Sequence, residues 1–173
     1  MDKVLLDFWR KLKPGDTFYV IGDISMSRTK AEHALDQVPK GVQVHYVFGN
    51  HDSRHRKAIE RHPRVVWSGD LKGIKIEGQY IVLCHYAMRV WNMSHHGAWQ
   101  LFGHSHDGLY PWENQLDVGV DSAANLVGEY RPLSFEEIAG FISDSMNPRL
   151  LAKQFGGKSP SWVGGDHHDL LQK

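Results

Sequence analysis

Four apolar runs in this chain end on residues that can bind a cation or move a proton. Thr17-Phe18-Tyr19-Val20-Ile21 leads into Gly22-Asp23, and His45-Tyr46-Val47-Phe48 into Gly49-Asn50-His51-Asp52. Ile81-Val82-Leu83-Cys84 runs directly into His85, and Trp99-Gln100-Leu101-Phe102 into Gly103-His104-Ser105-His106. Donors at the ends of neighbouring strands converge on one edge of a sheet, where rigid elements hold polar groups in an open crevice. The glycines let the backbone turn sharply without a Cβ clash. Asp, Asn and His supply oxygen and neutral nitrogen donors, a set suited to Mn, Fe or Zn. It lacks the thiolates of a structural zinc site and the all-oxygen shell of calcium.

Taken singly, each piece has an ordinary use. Gly-Asp after a strand is commonly a turn or a helix cap, and a strand-end histidine is commonly a satisfied structural residue. Two histidines at a spacing of two prove nothing alone. Asn-His-Asp in a row at a strand end has little packing value, and all four pieces in this order point to a metal site.

The elements that must position these donors follow from periodicity. Val4, Leu5, Phe8, Trp9 and Leu12 share a helical face, which predicts a helix over 2–12, ended by Lys13-Pro14-Gly15-Asp16. A strand over 17–21, a helix over 28–37 and a strand over 42–48 follow. A short helix over 53–62 is predicted to open on Ser53 as its cap. Val65-Val66-Trp67 reads as a brief strand, and residues 74–76 and 80–83 as a hairpin around Glu77-Gly78-Gln79. After a polar, aromatic-rich loop over 86–97 come strands over 99–102 and 116–120. Ser134 and Glu137 form a capping box for a helix reaching about Ile142. Helices alternate with strands early and hairpins follow later, so the expected class is α/β or α+β in layers. One domain is expected over residues 1–143, followed by a Gly-, Pro- and Ser-rich, loosely packed tail over 144–173.

Composition narrows the function classes. A length of 173 residues suits one domain with a substantial core. Lys plus Arg and Asp plus Glu both number 20, so no global field favours nucleic acid or an anionic membrane. Without a basic stripe, general nucleic-acid binding is not expected. Cys84 is the only cysteine, which forbids an intrachain disulfide and suits a reducing compartment. The first residues mix charge into their apolar positions, unlike a signal peptide or a membrane span. A soluble, cytoplasmic protein is the expectation. Twelve histidines are numerous, but their placement at strand ends informs more than their number.

Gly-Asp, Gly-Asn-His-Asp, a strand-end His and Gly-His-x-His, in this order and spacing, resemble the calcineurin-like metallophosphoesterase family. The small bacterial and phage phosphoesterases are the nearer flavour. Leu83-Cys84-His85-Tyr86 with Trp91-Asn92 fits that flavour, as do Asp117-Val118-Gly119-Val120-Asp121 and Tyr130-Arg131-Pro132. The resemblance covers about residues 1–140. It implies a four-layer α/β/β/α sandwich and a two-metal hydrolase of phosphate mono- or diesters. Carried over residue by residue, Asp23 bridges both metals, and Asn50, His85 and His104 complete one of them. His106 belongs to the other metal. His51 contacts the phosphate and can protonate the leaving oxygen, with Asp52 orienting it. Two cations about 3.5–4 Å apart activate a water and neutralise charge on the phosphoryl oxygens, and an imidazole titrates near the operating pH.

The family normally opens with a further strand carrying Asp-x-His, and no such motif precedes Gly22-Asp23. One metal site is therefore expected to be complete and the second incomplete, holding only Asp23 and His106. An N-terminally shortened sandwich is one explanation. A weakly active or inactive metal-binding remnant that acts through a partner is another. Recruitment of Asp166-His167-His168 from the tail is the third. An uncovered sheet edge would favour self-association. Arg54, His55, Arg56 and Lys57 either hold a substrate phosphate or form a solvated basic face. Arg89 either reaches a phosphate or makes a structural ion pair. His95 and His96 are lid residues or simply exposed, and Trp91, Trp99 and Trp112 are read as packing.

Overall fold

A computed structural model describes residues 2–109 and 112–145. Helix α1 (Asp2–Trp9) is followed by β1 (Thr17–Ile21), α2 (Arg28–Asp36), β2 (Gln43–Val47), α3 (Arg56–Glu60) and β3 (Val65–Gly69). The strands pair in the order β1-β2-β3, all parallel. Their β-branched and aromatic residues favour the pleat, and alternation sorts them between two faces. Phe18, Val20, Val44 and Tyr46 pack with Trp9 of α1, Leu35 of α2 and Ile59 of α3. Tyr19, Ile21, Val47 and Trp67 face the other way.

The second sheet holds β4 (Leu71–Ile76), β5 (Gln79–Cys84), β6 (Trp99–Phe102) and β7 (Gln115–Asp117), in that order. Strands β4 and β5 form a hairpin, whereas β5-β6 and β6-β7 are parallel. Glu77 and Gly78 both take positive φ, 49° and 86°, as a two-residue hairpin turn of primed type requires. Ile81, Leu83, Leu101 and Leu116 meet Tyr19, Ile21, Val47 and Trp67 in one cluster, so this core lies between the sheets. Ile138 and Ile142 of a last helix, α5 (Phe135–Ser145), join it. The class is thus mixed α/β, with one parallel and one mixed sheet.

Several boundaries differ from expectation for local reasons. Helix α1 stops at Trp9 rather than at 12. In place of one helix over 53–62 opened by Ser53, a 3-10 turn spans His51–Arg54 and α3 starts after His55. The Asp52 carboxylate folds back onto Gly49 N–H at 2.8 Å, which winds the chain tightly before a helix can begin. The strand expected over 116–120 ends at Asp117, and an unforeseen helix, α4 (Val120–Val127), follows. Asp117 Oδ1 accepts Gly119 N–H at 2.8 Å, turning a β-branched run out of the sheet. Most of the tail expected over 144–173, Asp166 and His168 included, lies outside the described residues.

Helix α5 opens on the anticipated reciprocal cap. Ser134 N–H donates to Glu137 Oε2 at 2.9 Å, and Glu137 N–H to Ser134 Oγ at 3.3 Å. Arg131 adds two bonds to the same carboxylate, at 2.6 and 2.9 Å. That guanidinium is the main reason the Glu137 carboxyl is held down to about 2 from an ordinary 4.5. A depressed folded-state value means the stabilisation is complete above the ordinary value and disappears as pH falls from 4.5 toward 2. Glu137→Gln is expected to cost about 1 kcal/mol at neutral pH. Near the folded-state value the two proteins should be equally stable, a convergence that urea titrations at the two pH values would measure.

Candidate metal centre

Asp23 leaves β1 on two successive left-handed residues, Gly22 at φ 82° and Asp23 itself at φ 54°. This reversal swings the Asp23 carboxylate back over the strand ends. A Cβ at Gly22 would lie 2.5 Å from His85 Nδ1 and 2.7 Å from Gly49 N, so only glycine fits. A Cβ at Gly49 would run into Asp23 Oδ1 and come 2.8 Å from His85 Cε1. The two glycines leave the space in which a carboxylate and an imidazole from different sheets meet.

His85 follows β5 and is buried. Its Nδ1 lies 2.9 Å from the Ile21 carbonyl oxygen, which can only accept, so Nδ1 carries a proton. Nε2 then faces Asp23 Oδ2 at 3.1 Å and Asn50 Oδ1 at 3.1 Å. In the neutral imidazole, Nε2 is a lone pair turned toward two oxygen acceptors, an arrangement that a cation resolves. His104 follows β6 at φ 65°, with its ring centroid 5.0 Å from that of His85. Asp23, His85 and His104 each offer a ligand atom within 4.8 Å of the others, so the three can hold a metal ion. Asn50 adds a neutral oxygen beside them. Loops from two sheets thereby bring Asp23, His85 and His104 within reach of one ion, with Asn50 Oδ1 beside His85.

The other predicted residues are distributed differently. His106 does not join this group; its exposed ring places Nδ1 2.8 Å from Asp121 Oδ2 on α4. His51 is exposed, and its backbone N–H donates to Asp23 Oδ1 at 2.9 Å. Asp52, expected to orient His51, has another task. It is 0% exposed, Oδ2 accepts Gly49 N–H at 2.8 Å and Asp23 N–H at 2.9 Å, and Oδ1 accepts the Tyr46 hydroxyl at 3.0 Å. Burial, then the Asp52 charge, push the Tyr46 phenol well above its ordinary value, so it stays a donor. Asp52 therefore clamps the two strand ends together.

Of the basic run, Arg54 is exposed, as is Arg89 after His85. Arg56 is bound by Asp70 at 2.7 and 3.1 Å and by Glu60 at 3.2 Å, with its guanidinium 4.1 Å over the Phe48 ring. It is structural. His55 is buried, with Nε2 unbonded and 3.4 Å from Asp52 Oδ1. The buried Asp117, which accepts from Ser105 Oγ and Gly119 N–H, was not foreseen as a support for the His104 loop.

Among the described residues no helix is long and apolar enough to cross a membrane. No family model matches the chain, and no curated protein matches it. A crystal structure of a protein of unknown function from Aquifex aeolicus is similar in fold, with a TM-score of 0.59 and 19% sequence identity over 80% of this chain and 83% of that one.

Proposed function

We propose that this chain is a metal-dependent phosphoesterase of the calcineurin-like kind, hydrolysing a phosphate mono- or diester on a four-layer α/β/β/α sandwich. The observation that carries the reading is the meeting of His85 Nε2 with Asp23 Oδ2 and Asn50 Oδ1, both at 3.1 Å, next to His104. These donors suit Mn, Fe or Zn, with Asp23, Asn50, His85 and His104 holding the ion. When bound, such an ion supplies Lewis acidity and lowers the pKa of a water at the site.

This chain's own residues do the rest. Asp23 contributes the negative charge and accepts the His51 backbone N–H, which fixes the start of the turn that carries the exposed His51 beside it. From there His51 donates a proton to the departing ester oxygen. Arg54 and Arg89, exposed on flanking loops, meet the phosphate's charge. Asp52 holds the Gly49 and Asp23 amides so that the ligands keep their spacing.

A second reading, a one-metal remnant acting through a partner, is favoured by one observation: His106 turns to Asp121 rather than to the cluster. Turnover of bis-p-nitrophenyl phosphate and p-nitrophenyl phosphate with added Mn²⁺ separates the two. Metal-dependent release of nitrophenol is the expected result. One tightly held ion per chain without hydrolysis would select the remnant.

A further inference from the structure

Gln100 lies in the middle of β6 with no exposed surface. Neighbouring Leu101 points to the inter-sheet core, so alternation turns Gln100 to the opposite face. A buried primary amide is costly unless its groups are bonded. Here the bonds go to one loop. Gln100 Nε2 donates to Tyr86 O at 3.0 Å, and Oε1 accepts Met88 N–H at 3.3 Å and Gln115 Nε2 at 2.7 Å. Gln115 Nε2 also bonds Met88 O. The backbone on both sides of the Tyr86–Met88 segment is thus anchored to the sheet.

That anchoring serves a tyrosine with no core to fill. Tyr86 is 46% exposed, yet its ring stands edge-on to both clustered imidazoles. The centroids are 5.0 Å from His85 at 77° and 4.7 Å from His104 at 66°. Met26, on the loop leaving Asp23, and Val90, on the loop of Tyr86, are 77% and 71% exposed.

We infer that Tyr86 is a specificity-determining residue whose fixed ring selects phosphate esters carrying a planar aromatic group. The inference rests on the phosphoesterase reading, which places the phosphate at Asp23, His85 and His104. The organic group then leaves that point within one ring's reach of Tyr86. Ring pairs gain most when offset or edge-on with centroids about 4.5–7 Å apart. A rigid wall gives that contact with little ordering entropy lost.

Isothermal titration of the Mn²⁺-loaded full chain with phenylphosphonate and with methylphosphonate, neither of which is hydrolysed, tests this. The wild type is expected to bind phenylphosphonate about tenfold more tightly or better. Tyr86→Phe should keep that preference, and Tyr86→Leu, which retains apolar bulk without a plane, should reduce it to about twofold. Equal binding of both phosphonates by the wild type, which requires no variant to fold, overturns the inference and leaves the phosphoesterase reading standing. An unchanged preference in Tyr86→Leu, or its loss in Tyr86→Phe, also overturns it. If a protein that takes up Mn²⁺ binds neither phosphonate, both readings fall.

Discussion

Asp23→Asn should lower Mn²⁺ affinity by more than about 100-fold, because groups that merely support a ligand already cost 10–100-fold when removed. Asp23 is the one anion among the clustered donors; His85, His104 and Asn50 are neutral or would have to be neutral to ligate. Asparagine has the same shape, and its Oδ1 can still accept the His51 N–H. It also tolerates the left-handed backbone at φ 54° as well as aspartate does. Folding stability should therefore hold while metal binding is lost, which separates the site from the scaffold. Calorimetric Mn²⁺ titration alongside a thermal melt reads both quantities. Wild-type affinity in the variant would show that no ion sits between Asp23 and His85.

The largest stability effect belongs to a residue that touches no ion in this scheme. Asp52→Ala removes the acceptor for the half-buried Gly49 and Asp23 N–H groups and for the fully buried Tyr46 hydroxyl. Each stranded buried donor costs roughly 1–3 kcal/mol, so the variant should lose on the order of 3–5 kcal/mol. That is a large part of the ~5–15 kcal/mol by which domains are stable. Tyr46→Phe takes one of three donors from Asp52 and also the acceptor of Ile24 N–H, 3.3 Å away, and should lose roughly 1–2 kcal/mol. Urea denaturation of the three proteins tests the ranking. A loss below about 1 kcal/mol for Asp52→Ala would mean that water or rearranged loops replace the carboxylate.

Much of the chain's local order could be read from its residues. Glu77-Gly78-Gln79 between two β-rich runs marks the hairpin, and Ser134 with Glu137 marks the start of α5. The strands stand where β-branched and aromatic residues alternate. The failures share one cause. Asp52 reads as a partner for the adjacent His51, but its oxygens bind an amide 29 residues away at Asp23 and one three residues back at Gly49. Val118-Gly119-Val120 has strand-like composition, yet a side-chain bond from Asp117 to Gly119 N–H sends it into a helix. The residues leave Arg56 open between a phosphate contact and a solvated basic face, and its bonds to Asp70, just after β3, make it neither. Gln100 carries no signal of its own within the run Trp99–Phe102, because its partners Tyr86 and Met88 lie on a loop more than ten residues away.

By itself, then, the sequence determined which donors stand at which strand ends, because periodicity and turn chemistry are local properties. Only the tertiary structure decided that Asp23 and Asn50 from one sheet meet His85 and His104 from the other, while His106 turns to Asp121. Packing of the two inner faces sets that meeting, and no pattern within a single strand encodes how a second sheet will lie against it.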